Sequence, residues 1–161
     1  MANKRTYLVI SDVHSDRGGK LKDLVPFLKG IDGVIFCGDG IVRFNAFIKS
    51  IGYDPSKYFS VCGNCDSYET DDKVITVDDR KILITHGNRY GARYGVDKLV
   101  QAAKDSGADI VLFGHSHSYT EGQKDGVFYL NPGAFETNSY GYSTFAYLII
   151  SDEITAVQMS L

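Results

Sequence analysis

The chain predicts an α/β fold in which two β-sheets pack face to face and helices cover the outer surfaces. Three observations carry that expectation. Up to Cys62, short β-branched and aromatic runs alternate with helix-spaced segments, the pattern of parallel β-α-β units. A hairpin-like pair of runs, then a helix and a strand, occupy the middle of the chain. The last third reads entirely as strands. With 161 residues, 43% of them hydrophobic and 23% charged, the chain has the size and balance of one domain able to bury its own core. No linker, repeat or low-complexity stretch divides it, so residues 1–161 are expected to form a single domain.

Thr6 to Ser11 predicts the first strand, Gly33 to Cys37 the second and Tyr58 to Cys62 the third. Between the first two, Leu21, Leu24, Val25 and Leu28 recur at helical spacing, with Pro26 expected to kink or shorten the helix. Between the second and third, Phe44, Phe47, Ile48 and Ile51 repeat that spacing. Such an order implies right-handed crossovers and a parallel core. Lys73 to Val77 and Lys81 to Thr85 flank Asp78-Asp79-Arg80, a hairpin connection. Val96 to Ser106 is the clearest helix, with Val96, Leu99, Val100 and Ala103 on one face and Gly107 as its stop. Ile110 to Phe113 follows as a fully apolar strand. Val127 to Leu130, Thr144 to Ile150 and Ile154 to Met159 complete the set, the last two joined by Ser151-Asp152-Glu153.

Composition removes several classes of function. Seventeen Lys and Arg against twenty Asp and Glu leave a net charge of −3, which argues against a protein that coats long nucleic acid. A small phosphorylated substrate held by a metal stays compatible with it. Apolar runs such as Phe145 to Ile150 fall far short of the roughly 20 residues that span a bilayer, so no membrane partner is expected. Met1 to Arg5 leads straight into the first strand, and no signal peptide is expected. Three cysteines, Cys37, Cys62 and Cys65, suit a reducing cytoplasm better than a disulfide scaffold. Cys62-Gly63-Asn64-Cys65 spells CxxC, but a structural zinc site needs a second pair of soft ligands that Cys37 alone cannot supply. Cys62 reads instead as a small core residue closing a strand.

The informative residues sit at strand ends. The runs terminate in Asp12-Val13-His14, Gly38-Asp39-Gly40, Gly63-Asn64-Cys65-Asp66, Thr85-His86-Gly87 and Gly114-His115-Ser116-His117. Ligands of open α/β sheets bind beyond the carboxyl ends of the strands, so these five loops are expected to converge. All four histidines of the chain lie in them, beside Asp12, Asp39 and Asn64. Two carboxylates, one amide oxygen and four imidazoles are too many donors for one tetrahedral site and suit two metals. Imidazole with carboxylate favours manganese, iron, zinc, cobalt or nickel, whereas magnesium or calcium prefers oxygen alone. Two divalent ions against two aspartates leave the site cationic, which fits a phosphate ester.

The ordered set D-x-H, G-D, G-N-x-D, H-G and G-H-x-H resembles the calcineurin-like metallophosphoesterase superfamily. The short chain, the Gly-Asn-Cys-Asp variant and the closing Asn131-Pro132-Gly133-Ala134 are similar to its small YfcE-type phosphodiesterases. The resemblance runs from about Thr6 to at least Ala134. It implies a four-layer α/β-β/α sandwich of two mixed sheets. It also implies that Asp12, His14 and His117 hold one divalent transition metal ion and Asn64, His86 and His115 a second, with Asp39 bridging. Manganese is the first expectation, with zinc, iron, nickel or cobalt as alternatives. The implied chemistry is hydrolysis of a small phosphodiester by a hydroxide shared between the metals.

Asp39, Asn64, Asp66 and His115 are the residues expected to serve catalysis. Asp66 is expected either to orient a ligand imidazole or simply to cap its loop. Larger members carry histidine at the place of Cys65. A thiol is a weak donor, so good leaving groups or strained cyclic phosphates are expected to be favoured over alkyl monoesters. Asn88 stands where close relatives often carry another histidine. Arg43 and Cys65 are the candidate substrate contacts, although Arg43, Arg89 and Arg93 each read first as a solvated surface charge and second as a phosphate clamp. Tyr90, Tyr94, Tyr119, Tyr140 and Tyr142 suit either base stacking or a subunit interface, and relatives of this kind form dimers or tetramers. A retromer subunit of eukaryotes shares the fold and serves largely as a docking surface. A protein-docking scaffold is therefore the rival reading, and a phosphomonoesterase a variant within the enzyme class.

Overall fold

The computed structural model describes residues 3–136 and 141–161. Its strands are β1 (Arg5–Ile10), β2 (Gly33–Phe36), β3 (Tyr58–Ser60), β4 (Lys73–Val77), β5 (Arg80–Ile84), β6 (Ile110–Leu112), β7 (Thr120–Lys124), β8 (Val127–Asn131), β9 (Thr144–Ile150) and β10 (Ile154–Ser160). The helices are α1 (Ile41–Ser50) and α2 (Asp97–Asp105), with a 3₁₀ segment over Leu21–Leu28. One sheet has the order β10-β9-β1-β2-β3 and the other β4-β5-β6-β8-β7. Both are mixed: β1, β2 and β3 run parallel, as do β5, β6 and β8, and antiparallel strands flank them.

Alternation along the strands builds the layers. Tyr7, Val9 and Ile35 of the first sheet share a buried core with Ile82, Ile84, Ile110 and Leu112 of the second. Their neighbours Leu8, Ile10, Val34 and Phe36 face outward, against Leu21 and Leu24 of the 3₁₀ segment and Phe44 and Ile48 of α1. Leu83, Val111 and Phe113 face outward on the other side, against Leu99, Val100 and Ala103 of α2. The central strands are buried on both faces, which is why they read as unbroken apolar runs. The result is the expected α/β-β/α sandwich.

Three details differ from the expectation. The segment over Leu21–Leu28 is 3₁₀ rather than α-helical: in an α-helix the Pro26 ring would clash with the carbonyl four residues back, and Leu21 and Leu24 still reach the core at three-residue spacing. Arg80 already pairs with Val77, so the first hairpin turns on Asp78 and Asp79 alone. Strand β7 was not expected, because Thr-Glu-Gly-Gln-Lys lacks apolar alternation; it is a half-exposed edge held by pairing to β8.

Candidate metal centre

Strand β1 runs into Asp12 and His14, β2 into Asp39, β5 into His86, and β6 into His115 and His117. The loops stay paired past their strands. Asp12 and His14 donate their N–H groups to the carbonyls of Gly38 and Asp39, each at 2.9 Å, and Gly114 donates to the His86 carbonyl at 3.0 Å. Two further bonds join the sheets at this end. The His115 N–H donates to Asp12 Oδ2 at 3.1 Å, and the His86 ring lies with Nδ1 2.7 Å from the Cys37 carbonyl.

That last contact sets the tautomer. A carbonyl only accepts, so Nδ1 of His86 carries a proton and the neutral ring presents its Nε2 lone pair inward. Nε2 lies 3.2 Å from Asp39 Oδ2 and 4.0 Å from Asp12 Oδ1. Asp12 Oδ1 and His86 Nε2 are both buried, and neither has a hydrogen-bond partner among the described residues. Leaving such atoms unpaired costs about 1–3 kcal/mol each, more for a charged group. A lone pair facing two carboxylates is stable only with a cation or a proton between them. Around the same Asp12 oxygen, His117 Nε2 lies at 3.2 Å and His14 Nε2 at 3.8 Å, with the two imidazole nitrogens 3.4 Å apart.

Among the described residues the donor atoms form three groups, in each of which all lie within 4.8 Å of one another: Asp12, His14 and His117; Asp12, Asp39 and His86; and His14, Asp39 and Cys65. The first coincides with the ligand set expected for one ion. Asp12 links it to the group with His86, and His14 links it to the group with Cys65. An orphaned carboxylate oxygen among imidazole nitrogens is a donor set that suits a divalent transition metal.

Titration in the metal-free protein follows the same contacts. Burial pushes the Asp39 carboxyl up, but the neighbouring His86 ring, with the Cys65 N–H, holds it at about 2. Burial pushes His86 down, and Asp39 and Asp12 more than offset it, so His86 is raised. Asp12 raises His117. Burial, then the charges of His86 and Arg93, lowers His115.

Backbone conformation marks the same residues. Asp12 (φ 56°), His14 (φ 50°), Asp39 (φ 67°), His115 (φ 72°) and His117 (φ 62°) all adopt the left-handed region. Asp and His tolerate it better than most, yet each still stores about 1 kcal/mol or more. Glycine is needed where a neighbour comes closer still. A Cβ on Gly63 would overlap the Asp39 carboxylate, and one on Gly114 would overlap Ser11 Oγ and sit 2.7 Å from Asp12 Oδ2.

The remaining candidates fall in different places. The ring of His115 packs edge-on against that of His86, with centroids 5.2 Å apart. Asn64 is exposed, and its amide nitrogen donates to Cys65 Sγ at 3.6 Å. It also lines a cavity of about 250 Å³ with Cys62, Asn88 and Arg89. Asp66 does not orient an imidazole. Its carboxylate receives the N–H groups of Gly63 (2.7 Å), Gly40 (2.8 Å), Asp39 (2.9 Å) and Ile41 (3.1 Å), tying two loops to the start of α1. The loop-cap alternative is the one observed. Arg43 and Cys65 line an open cleft of about 720 Å³ beside His14. Arg89 donates to the Thr70 carbonyl at 3.1 Å, and Arg93 is exposed. Tyr90 donates to Asp72, Tyr119 to Glu121, and Tyr94 is 94% exposed. Tyr142 is exposed, and Tyr140 lies outside the described residues.

Two supporting residues escaped the sequence reading. Ser11 Oγ donates to Asp12 Oδ2 at 2.7 Å, although Ser11 looked like the end of a strand. Asn131, fully buried, donates to the Gly114 carbonyl (3.0 Å) and Ser116 Oγ (2.9 Å), holding the loop that carries His115 and His117. Its only signal was membership of the Asn-Pro-Gly-Ala segment.

Comparison with known proteins places the chain in a family. The family model described as the calcineurin-like phosphoesterase superfamily domain matches residues 6–153. A probable metallophosphoesterase of Bacillus subtilis, YsnB, is 32% identical over 149 residues, covering 85% of this chain and 82% of its own. A phosphodiesterase of Methanocaldococcus jannaschii, MJ0936, is 27% identical over 142 residues, covering 78% and 81%. The solved structure of Vacuolar Protein Sorting 29 from Cryptosporidium parvum superposes with a TM-score of 0.78 over 98% of both chains at 18% identity, a likeness of fold.

Proposed function

Because the chain belongs to the calcineurin-like phosphoesterase superfamily, we propose that it is a phosphodiesterase that uses two divalent transition-metal ions to hydrolyse a small phosphodiester. The single observation that carries the reading is the pair of buried, unpartnered atoms, Asp12 Oδ1 and His86 Nε2, set among imidazole nitrogens. Asp12, His14 and His117 would hold one ion. Asp39 and His86, with Asn64 and His115 as the family resemblance implies, would hold the other. Bound there, the ions would supply positive charge to a phosphoryl group and make a water acidic at neutral pH.

The chain's own residues do the rest. The Cys37 carbonyl fixes the His86 ring so that Nε2 faces inward. Ser11 and the His115 N–H occupy Asp12 Oδ2, leaving Oδ1 for the cation. Arg43, on the wall of the cleft beside His14, would meet a non-bridging phosphate oxygen. Cys65 lines the same cleft and protonates a leaving group poorly, which favours aryl or cyclic diesters over alkyl monoesters. The net charge of −3 fits a small substrate better than long nucleic acid.

A docking scaffold is the second reading, favoured by the likeness of fold to Vacuolar Protein Sorting 29. The two are separated by turnover. Metal-stripped protein is reloaded with manganese, zinc, nickel or magnesium and given a chromogenic aryl diester beside its monoester. Metal-dependent cleavage of the diester, lost in Asp39→Ala and His115→Ala, is the expected result. Stoichiometric metal uptake without turnover of either ester would instead support the scaffold.

A further inference from the structure

Cys65 differs from the other two cysteines in its surroundings. Cys37 lies in the core between the sheets and Cys62 is also buried, whereas Cys65 is exposed beside the metal centre. Its Sγ lies within 4.8 Å of donor atoms of both His14 and Asp39. The backbone holds it there, since the Cys65 N–H donates to Asp39 Oδ1 at 2.8 Å. The other face of that same carboxylate meets the buried, unpartnered Nε2 of His86 at 3.2 Å, which independently points to a cation at Asp39. The weak contact from the Asn64 amide, at 3.6 Å, is readily exchanged for a stronger one.

We propose that the Cys65 thiol is itself a metal ligand, adding a soft donor to His14 and Asp39 and biasing the centre toward zinc or cobalt over manganese. This rests on the metal-centre reading above. Sulfur enters as thiolate: the S–H proton passes to solvent as the sulfur–metal bond forms. Thiolate is a soft donor that strengthens binding of zinc and cobalt far more than of manganese. The centre then discriminates among metals through one side chain, at the place where larger relatives carry histidine. Cys65 is thereby assigned to the metal rather than to the substrate.

The test uses the full chain stripped of metal and titrated with cobalt(II) while the absorption spectrum is recorded. Wild-type protein should show ligand-field bands in the visible and a thiolate-to-cobalt charge-transfer band in the near ultraviolet. Cys65→Ser should keep the cobalt stoichiometry and the ligand-field bands but lose the charge-transfer band, and Cys62→Ala should retain it. The ratio of zinc to manganese affinity should fall at least about tenfold in Cys65→Ser. A wild-type complex with ligand-field bands but no charge-transfer band would overturn the assignment of Cys65 alone. Survival of that band in Cys65→Ser would do the same. Failure of the wild-type protein to take up cobalt at all would overturn the metal centre itself.

Discussion

Replacing Asp66 with alanine should destabilise the metal-free protein by about 3 kcal/mol. Four backbone N–H groups lose a charged acceptor in that change: those of Gly40 and Ile41 at the head of α1, and those of Asp39 and Gly63 in the loops. Gly40 stands at the helix N-cap and has no side chain to cap with, so Asp66 does that work from 26 residues away. Losing a cap of this kind costs about 1 kcal/mol. The two loop bonds are charge-assisted, at 2.7 and 2.9 Å. Such bonds are worth about 1.5–3 kcal/mol each when buried, but Asp66 is half-buried and water replaces part of the loss, so about 1 kcal/mol each is the expected remainder. In a domain of 161 residues that is a fall in Tm of about 6–12 °C, measured by thermal unfolding in a chelator. Asp66→Asn, which keeps one acceptor oxygen, should fall between. Because the clasp also positions Asp39, metal affinity should drop about 10–100-fold in the alanine variant. A Tm change below about 3 °C would mean that water replaces the carboxylate at no penalty, and would refute the reasoning.

Asp12→Asn should abolish the rise in Tm on adding metal, because it removes the buried carboxylate oxygen that faces the imidazoles, and should lower the metal-free Tm below pH about 6.5, since the Asp12 charge helps raise His117 and His86; paired melts with and without metal check it. Gly114→Ala should cost about 3 kcal/mol or more and lose metal binding, since the new methyl overlaps Ser11 Oγ and crowds Asp12, and urea unfolding with a metal titration reads both. The pH dependence of stability should change sign with metal. In the metal-free protein His86 and His117 are raised, so their contribution is full below pH about 6.5 and is lost as pH rises through their folded-state values; His115, lowered, works the other way and offsets one of them. Metal-free Tm should therefore fall from pH 6 to pH 8, whereas metal-loaded Tm should rise because ligand imidazoles must be neutral. At the acid end Asp39, held at about 2, contributes stability that is full above its ordinary value and is lost as pH falls toward 2.

Much of the sandwich is legible in the chain because burial on both faces leaves a simple mark. Ile110 to Phe113 is a run of apolar residues, and the structure places Ile110 and Leu112 between the sheets and Val111 and Phe113 beneath α2. Strand β7 leaves no such mark, since an edge strand is stabilised by backbone pairing that any polar sequence can make. The 3₁₀ segment over Leu21–Leu28 shows the same limit, because apolar spacing does not separate one helix type from another until Pro26 meets its neighbours. Ser11 and Asn131 are hard to find for a related reason: Ser11 acts by orienting its neighbour Asp12 and Asn131 by bonding a loop some 15 residues away, and both depend on side-chain directions that residue order does not show.

Residue order alone displays the kinds of donor group at the candidate site. Imidazole, carboxylate and amide groups at strand ends are local facts, set by which residue follows which apolar run, and they suffice to point to transition metals and a phosphate ester. Tertiary structure alone decided which atoms meet. Asp12, His14 and Asp39 belong to one sheet and His86, His115 and His117 to the other, so each donor group that includes His86 or His117 exists only because Tyr7, Val9 and Ile35 pack against Ile82, Ile84 and Leu112. The surroundings of the free Asp12 oxygen and the inward lone pair of His86 are consequences of that packing, whereas Cys65 reaches Asp39 through the pairing of β2 with β3 in one sheet. Hydrophobic burial sets the distance between the sheets, and the hydrogen bonds that cross between them set the angles at which the donors point.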